Sequence, residues 1–301
     1  MKKLYLVFLL GCLAFNAVNA QEREEKPEKI GNEADGLRFS MGGYSTVGSK
    51  FTSKGVKGQK LAYKDLDVKF SSRGNTFNEE DEHYFSIGAE YTNLRWSENP
   101  NISQTAFADL VVAGGVSTDL SSDWTLRMML LGALDINNPS LTKSTRYNGY
   151  TWGIFHYDPE LAFHVGAMAY SEIKRYGVLP VVGITYVDLY NGWKVKAIFP
   201  LKASVSYRLA PEWIFALKHR YKNFRHRGKS VNSGDRRIFD YRSHGGELAL
   251  KYEPNSYSQI SGFLGIHGNA EYRIFDKDGR HRQAYKTKSG VYYGFSGFLV
   301  F

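Results

Sequence analysis

The chain has 301 residues, with 39 Lys or Arg against 30 Asp or Glu, 30 Gly, 8 Pro and a single Cys. Mean hydropathy is −0.39, yet aromatic residues make up 15%. Beyond the N-terminal stretch no run of about 18 apolar residues occurs, which excludes helical membrane spans, and one cysteine excludes a disulfide framework.

Lys2 and Lys3 precede the apolar run Leu4 to Leu10 and a small-residue exit at Val18, Asn19 and Ala20, the pattern of a secretory signal peptide cut after Ala20. The segment Leu9, Leu10, Gly11, Cys12 also has the look of a lipoprotein box, and on that alternative Cys12 is lipidated. Cleavage after Ala20 removes Lys2 and Lys3 from the 39 basic residues, leaving 37 against 30 acidic, a charge of +7 and no thiol. Residues 21–35, QEREEKPEKIGNEAD, lack aromatics and read as a flexible periplasmic lead.

From Gly36 the pattern is that of strands, and residues 36–301 are expected to form one all-β domain. Leu37, Phe39 and Met41 alternate with Arg38, Ser40 and Gly42, and a Gly, Ser and Lys-rich loop follows over 47–59. Leu61 to Phe70 is a weaker candidate, broken by Lys64, Asp65, Asp67 and Lys69, and the acidic run 79–82 comes after it. Phe85, Ile87, Ala89 and Tyr91 alternate with Tyr84, Ser86, Gly88 and Glu90. Ala106 to Ser117 and Trp124 to Asp135 flank a short turn at 118–123. Tyr150, Trp152 and Ile154 lead through the turn 158–160 to Leu161, Phe163, Val165, Ala167 and Ala169. Leu179 to Asp188 ends in a turn at 189–192.

The cleanest alternation is Trp193 to Arg208, where Trp193, Val195, Ala197, Phe199, Leu201, Ala203, Val205 and Tyr207 oppose Lys194, Lys196, Lys202 and Arg208. Such a stripe suits a strand between lipid and a watery lumen. Pro200 cannot donate to a ladder, so this segment is one bent strand or two short ones. Trp213 to Lys222, Tyr241 to Tyr252 and Ile260 to Phe275 follow, with tight turns at 209–212 and 253–256 and longer loops at 136–147, 223–238 and 276–288. The count gives about fourteen strands in a transmembrane antiparallel up-and-down barrel, or twelve if Leu61 to Phe70 stays out of the wall. An even count with both ends periplasmic places the tight turns on the periplasmic side and the longer loops outside.

The last stretch, GVYYGFSGFLVF, puts Val291, Tyr293, Phe295, Leu299 and Phe301 on one face. A terminal strand that alternates in this way and ends in Phe resembles the terminal strand of bacterial outer-membrane β-barrels. In that class it serves as the assembly signal, which here falls to Phe295, Leu299 and Phe301 and implies the barrel assembly machinery as a partner. Taken whole, the chain resembles the outer-membrane β-barrel proteins of Gram-negative bacteria, including the porin-like Bacteroidota type with a short lead and no periplasmic domain. The resemblance implies location and architecture and supplies no ligand residues.

The chemistry of a hydrolase is weakly supported. No His and Ser lie two apart on one strand face, and His83 and Ser86 point to opposite sides. His156 and His164 flank the turn at Pro159, either approaching one another across the hairpin or standing as interfacial residues at strand ends. No HExxH or paired His at i, i+2 occurs, and Asp276, Lys277, Asp278 and Gly279 form an ordinary turn rather than a calcium loop. No catalytic residue, metal or cofactor is therefore assigned.

Charge says more. Strand parity gives a basic lumen of Lys194, Lys196, Lys202, Arg208, Arg127, Lys218, Arg220 and Lys251 against few acids, such as Glu90 and Glu247. Arg225, Arg227, Lys229, Arg236, Arg237, Arg280 and Arg282 are expected in outer loops, where guanidinium groups suit the phosphates of lipopolysaccharide. The reading is a passive channel for small hydrophilic, preferably anionic, solutes. The alternative is a closed structural or surface barrel whose basic loops bind lipopolysaccharide or a partner. Nucleic acid is not an expected partner of an exported barrel.

Overall fold

The computed structural model describes residues 36–75, 81–141, 143–231 and 235–301. The expected signal peptide, the lead and Cys12 lie outside the described residues. Strands begin with Gly36–Thr46 (β1), Ser49–Lys50 (β2), Lys60–Asn75 (β3), Asp81–Trp96 (β4), Ala106–Asp119 (β5) and Trp124–Asp135 (β6). They continue with Thr145–His156 (β7), Leu161–Glu172 (β8), Arg175–Val187 (β9), Trp193–Phe199 (β10), Lys202–Ala210 (β11) and Trp213–Lys229 (β12). The last are Arg236–Asn255 (β13), Ser258–His267 (β14), Glu271–Phe275 (β15), His281–Lys286 (β16) and Gly290–Val300 (β17).

Fourteen of these strands form a closed antiparallel up-and-down barrel. The ring runs from β1 to β3, in sequence order to β14, and then to β17, which pairs back onto β1 with Phe39 opposite Leu299 and Tyr44 opposite Gly294. Phe301 N donates to Leu37 O at 2.8 Å, so the terminus itself is part of the seam. Closure satisfies the edge that a terminal strand would otherwise expose. No helix occurs among the described residues.

Leu61 to Phe70 belongs to the wall, which removes the twelve-strand alternative. Its charges had weakened the alternation, but Asp65 and Asp67 line the interior and Lys69 is buried, while Leu66 and Phe70 face outward. Trp193 to Arg208 is two strands, folded at a cis Phe199–Pro200 bond into the short hairpin β10 and β11. Ile260 to Phe275, expected as one strand, is two: β14 stays in the ring and β15 leaves it. The expected loop over 223–238 is largely strand, with β12 running to Lys229 and β13 starting at Arg236.

The end of the barrel that carries Gly36 and Phe301, here the near end, has the short connections 120–123, 157–160, 188–192, 211–212 and 256–257. Asp188 shows how they are held: its carboxylate accepts from the Asn191 side chain, which leads the bonds that keep its pKa below the usual carboxylate value. The far end carries the long connections, together with two tight turns, 200–201 at the expected proline fold and 173–174, which the expected topology did not include.

Outward faces are apolar over the whole ring, including Leu110 and Val112 on β5, Phe163 and Val165 on β8, Leu248 and Leu250 on β13, and Leu264 and Ile266 on β14. At the near end this belt ends in outward aromatic pairs, Trp124 with Phe155, Trp193 with Tyr207 and Trp213 with Tyr252, at ring separations of 5.2, 4.7 and 4.9 Å. An apolar belt bordered by aromatic side chains is the surface of a barrel in a bilayer.

The seam depends on close backbone approach at Gly294, where an added Cβ would stand 2.1 Å from the Gly43 carbonyl oxygen and 2.3 Å from the Phe263 ring. Gly262, on the neighbouring strand, has open space in that direction. Gly294→Ala is expected to lower barrel stability by about 1–3 kcal/mol through overpacking, and Gly262→Ala by less than about 0.5 kcal/mol. Urea titration read by gel mobility without boiling checks the difference.

Candidate functional site

Beyond the middle of the barrel β12 does not continue in the ring. From Tyr221 to Gly228 it is buried or half-buried on both faces, as is β13 from Ile238 to Ser243. Along its lower half β13 pairs with β14, from Asn255 to Gly245; above that it exchanges β14 for β15, pairing Arg242 with Glu271 and Ile238 with Phe275. β15 in turn pairs with β16. The result is a second sheet of four strands, in the order β12, β13, β15, β16, folded into the far mouth of the barrel.

The plug sheet has two unlike faces because its strands alternate. One face presents Phe224, His226, Phe239, Tyr241, Tyr272 and Ile274, which pack on Tyr44, Tyr63, Trp96 and Phe107 of the β1 to β5 wall. Tyr63 stacks on Tyr241 at 5.0 Å and Phe107 meets Phe239 at 4.9 Å. Each fully buried ring contributes about 1.5–3 kcal/mol, so this face is firmly fixed. The other face is polar. Asp240, with no exposed surface, accepts from Arg225 at 3.0 Å and Arg242 at 2.7 Å and pairs with Arg175 at 3.5 Å. Asn223 donates to Glu172 at 3.0 Å, and Arg225 Nε donates to Ile173 O at 2.7 Å, across to the β8–β9 turn.

Beneath the plug lies a cavity of about 970 Å³ that reaches the near rim at Pro211, Pro254, Asn255 and Ser256. Its lining includes Lys194, Lys196, Lys202, Arg208, Lys218, Arg220 and Lys251, seven of the eight cations assigned to the lumen from parity. The eighth, Arg127, borders a separate cavity of about 130 Å³ beside Arg38, Arg73 and Glu82. Counting Arg38, Lys69, Arg146 and Lys222, eleven lysines and arginines line the large cavity against five carboxylates, Asp65, Asp67, Glu90, Glu212 and Glu253. Several of these cations are held. Arg220 is clamped by Glu247, with Nη2 3.1 Å from Oε1, and lies 4.3 Å over the Phe263 ring; Lys222 meets Asp65 at 2.7 Å.

The residues expected in outer loops divide. Lys229, Arg236 and Arg280 are exposed at the far end, and Arg237 donates to Asn101 at 3.0 Å. Arg225 and Arg227 are instead buried in the plug, 3% and 8% exposed, with Arg227 Nε on Lys143 O at 2.9 Å. The basic run reads as a loop in sequence because it interrupts alternation with charge on both faces, which a strand inside a barrel accommodates through Asp240 and backbone carbonyls. The side chain of Arg282 lies outside the described residues. Phe295, Leu299 and Phe301 face outward on and beyond β17.

His156 and His164 do not meet; each hydrogen-bonds a threonine on the adjacent strand, Thr125 at 3.1 Å and Thr185 at 2.9 Å. Sequence reading missed a long-range pair, Ser49 Oγ and His267 Nε2, 3.0 Å apart, with His267 Nδ1 2.7 Å from Gly268 O. The two residues are 6% and 1% exposed beneath Gly290 and Tyr292, so the pair ties β2 to β14 and is withdrawn from substrate. It missed also His226, whose ring stands between Asp109 and Asp135. Nothing local signals either contact, since the partners lie on strands remote in sequence.

No protein-family model matches the chain, and no curated protein matches it in sequence. Among solved structures it is similar to an outer-membrane channel of Pseudomonas putida F1, at 11% identity and a TM-score of 0.49 over 92% of this chain and 100% of that one. It is similar also to the toluene transporter TodX of P. putida (9%, 0.42, covering 89% and 91%) and to the NanC porin (11%, 0.38, covering 88% and 99%). With these three scores below 0.5, what this chain does has to be read from its own residues.

Glu247, with no side-chain exposure, carries Arg220 and stands 3.9 Å from Lys218, whereas Glu253 meets a half-exposed Arg208 at 3.5 Å near the rim. Glu247→Ala strands a buried guanidinium and is expected to cost about 3–5 kcal/mol. Glu253→Ala is expected to cost about 1 kcal/mol or less. Equilibrium unfolding of the refolded barrel in urea measures both.

Proposed function

We propose that this chain is an outer-membrane channel of a Gram-negative cell, exported by its N-terminal signal, with the near end periplasmic and the plug at the outer mouth. Its solutes are small, hydrophilic and preferably anionic. The observation that carries this reading is the basic vestibule, eleven cationic side chains against five carboxylates in about 970 Å³. Such a field concentrates anions by charge and leaves them unreacted.

The plug sets where solute passes. Its aromatic face is held to the β1 to β5 wall by apolar burial that water does not replace. Its polar face meets the β8–β9 turn through Glu172, Ile173 and Arg175. Those contacts are ionic, and an entering anion offers Arg175 and Arg225 the charge that Asp240 offers them, so the path is proposed on this side of the plug. Lipopolysaccharide phosphates have Lys229, Arg236 and Arg280 available to them at the same end.

A second reading, a closed barrel acting as a surface-binding or structural protein, is favoured by the burial of both plug faces. Planar-bilayer recording of the refolded mature chain under a salt gradient decides between them. The channel gives discrete steps with a reversal potential on the anion side. Lys194→Glu, Lys196→Glu and Lys202→Glu together shift that potential toward cations, and Arg175→Ala, which removes the wall's ionic contact with Asp240 on the β8–β9 side, lengthens the openings. Silence from both wild type and Arg175→Ala, each shown to be folded by its gel mobility, would establish the closed barrel.

A further inference from the structure

Where the plug meets the wall, three side chains from three strands converge: Asp109 near the far end of β5, Asp135 at the far end of β6 and His226 on the plug strand β12. They are 3%, 0% and 1% exposed, and one ligand atom from each lies within 4.8 Å of the others. We propose that these residues form a binding site for a divalent cation of the zinc class, which staples the plug to the wall.

The geometry differs from that of an imidazole hydrogen-bonded between two acids. His226 Nε2 stands 3.0 Å from Asp109 Oδ2 and Nδ1 stands 3.7 Å from Asp135 Oδ2, yet neither ring nitrogen makes an aligned hydrogen bond. A single cation takes only one nitrogen of the ring: Nε2 and Asp109 Oδ2 have the separation of two ligands of one ion, and one ring nitrogen and one oxygen of each acid lie within 4.8 Å of one another. Donors about 2.0–2.1 Å from zinc, at tetrahedral or slightly compressed angles, are about 3.0–3.4 Å from one another.

The surroundings hold the carboxylates in place as a second shell does. Asp135 Oδ1 accepts from the backbone N–H of Asn137 at 2.9 Å and Asn138 at 3.2 Å, which turns Oδ2 toward His226. Arg146 donates to Asp109 Oδ2, the oxygen beside His226 Nε2, at 2.7 Å and stands 4.0 Å from Glu90. Charge agrees with the assignment. Three carboxylates, Glu90, Asp109 and Asp135, face one guanidinium, so these five groups sum to −1 with His226 protonated. With a divalent cation bound to a neutral imidazole they sum to zero, which suits a site buried this deeply. One nitrogen and two carboxylate oxygens, with a water completing the shell, is a donor set that zinc accepts.

The test uses the refolded mature chain, stripped with a chelator, exposed to zinc chloride at tens of micromolar and desalted before metal analysis. One equivalent of retained zinc is expected, falling at least tenfold in His226→Ala and in Asp135→Asn, whose amide oxygen still caps Asn137 and Asn138. Zinc is also expected to raise the temperature at which the folded band disappears for wild type and to leave that of both variants unmoved. Wild-type protein that retains no zinc, or variants that retain as much as wild type while folded, would overturn the proposal and leave His226 as an ionic contact of the plug. The result is independent of whether the barrel conducts.

Discussion

In hydrocarbon every backbone N–H and C=O needs a partner within the protein, and the far end of this barrel is shaped by that constraint. At Gly245, β13 gives up β14, and a hairpin that left the ring alone would bare two ladders. It does not leave alone. β14 finds β17 on its other side up to Gly290, while β13 takes β15, and β15 takes β16. The four strands carry hydrogen bonds of their own into the mouth and fill the lumen there, with β12 and β16 as the edges of the inserted sheet. Two isolated bridges, Ile102 to Ser230 and Phe51 to Thr287, pin the inserted sheet to the connections around it.

The same period of two that sorts lipid from lumen in the wall sorts the plug into an apolar and a charged face. These faces differ in kind of stability. Rings such as Tyr63, Phe107 and Phe239 gain from being away from water and have nothing to exchange for the contact. Arg175, Arg225 and Arg242 around Asp240 are held by charge and hydrogen bonds rather than by the exclusion of water. Buried ion pairs are often no more stabilising than hydrophobic replacements, so the charged face is not what shutting the mouth requires, and it is there that the proposed path runs.

The vestibule below follows from the short hairpin as much as from composition. Seven-residue β10 ends at Phe199, where Pro200 stops the ladder, so the Lys194, Lys196 and Lys202 side chains sit low in the barrel rather than along its height. They face the rim, where Arg208 and Lys251 add to them and Glu212 and Glu253 only partly balance them. On the channel reading proposed above, a field of one sign gathered at one end concentrates anions there.

Much of the wall was legible in the chain because the signal is local. Alternation in Trp193 to Tyr207 or Val291 to Phe301 needs only neighbours two apart, and so do the tight turns that set which end is near. Even Leu61 to Phe70 obeyed it, once Asp65, Asp67 and Lys69 are allowed to face water inside. What alternation does not carry is the identity of the partner strand. Arg225, His226 and Arg227 read as a loop because charge stood on both faces, and Ile260 to Phe275 read as one strand because nothing at Gly268 to Ala270 announces a change of partner. The sequence by itself determined that strands would form, which faces would be greasy and that the terminus would join a seam. Only the tertiary structure decided which strands stay in the ring and that Asp109, Asp135 and His226 meet, because those contacts join residues up to 117 apart in the chain through pairing that no short stretch encodes.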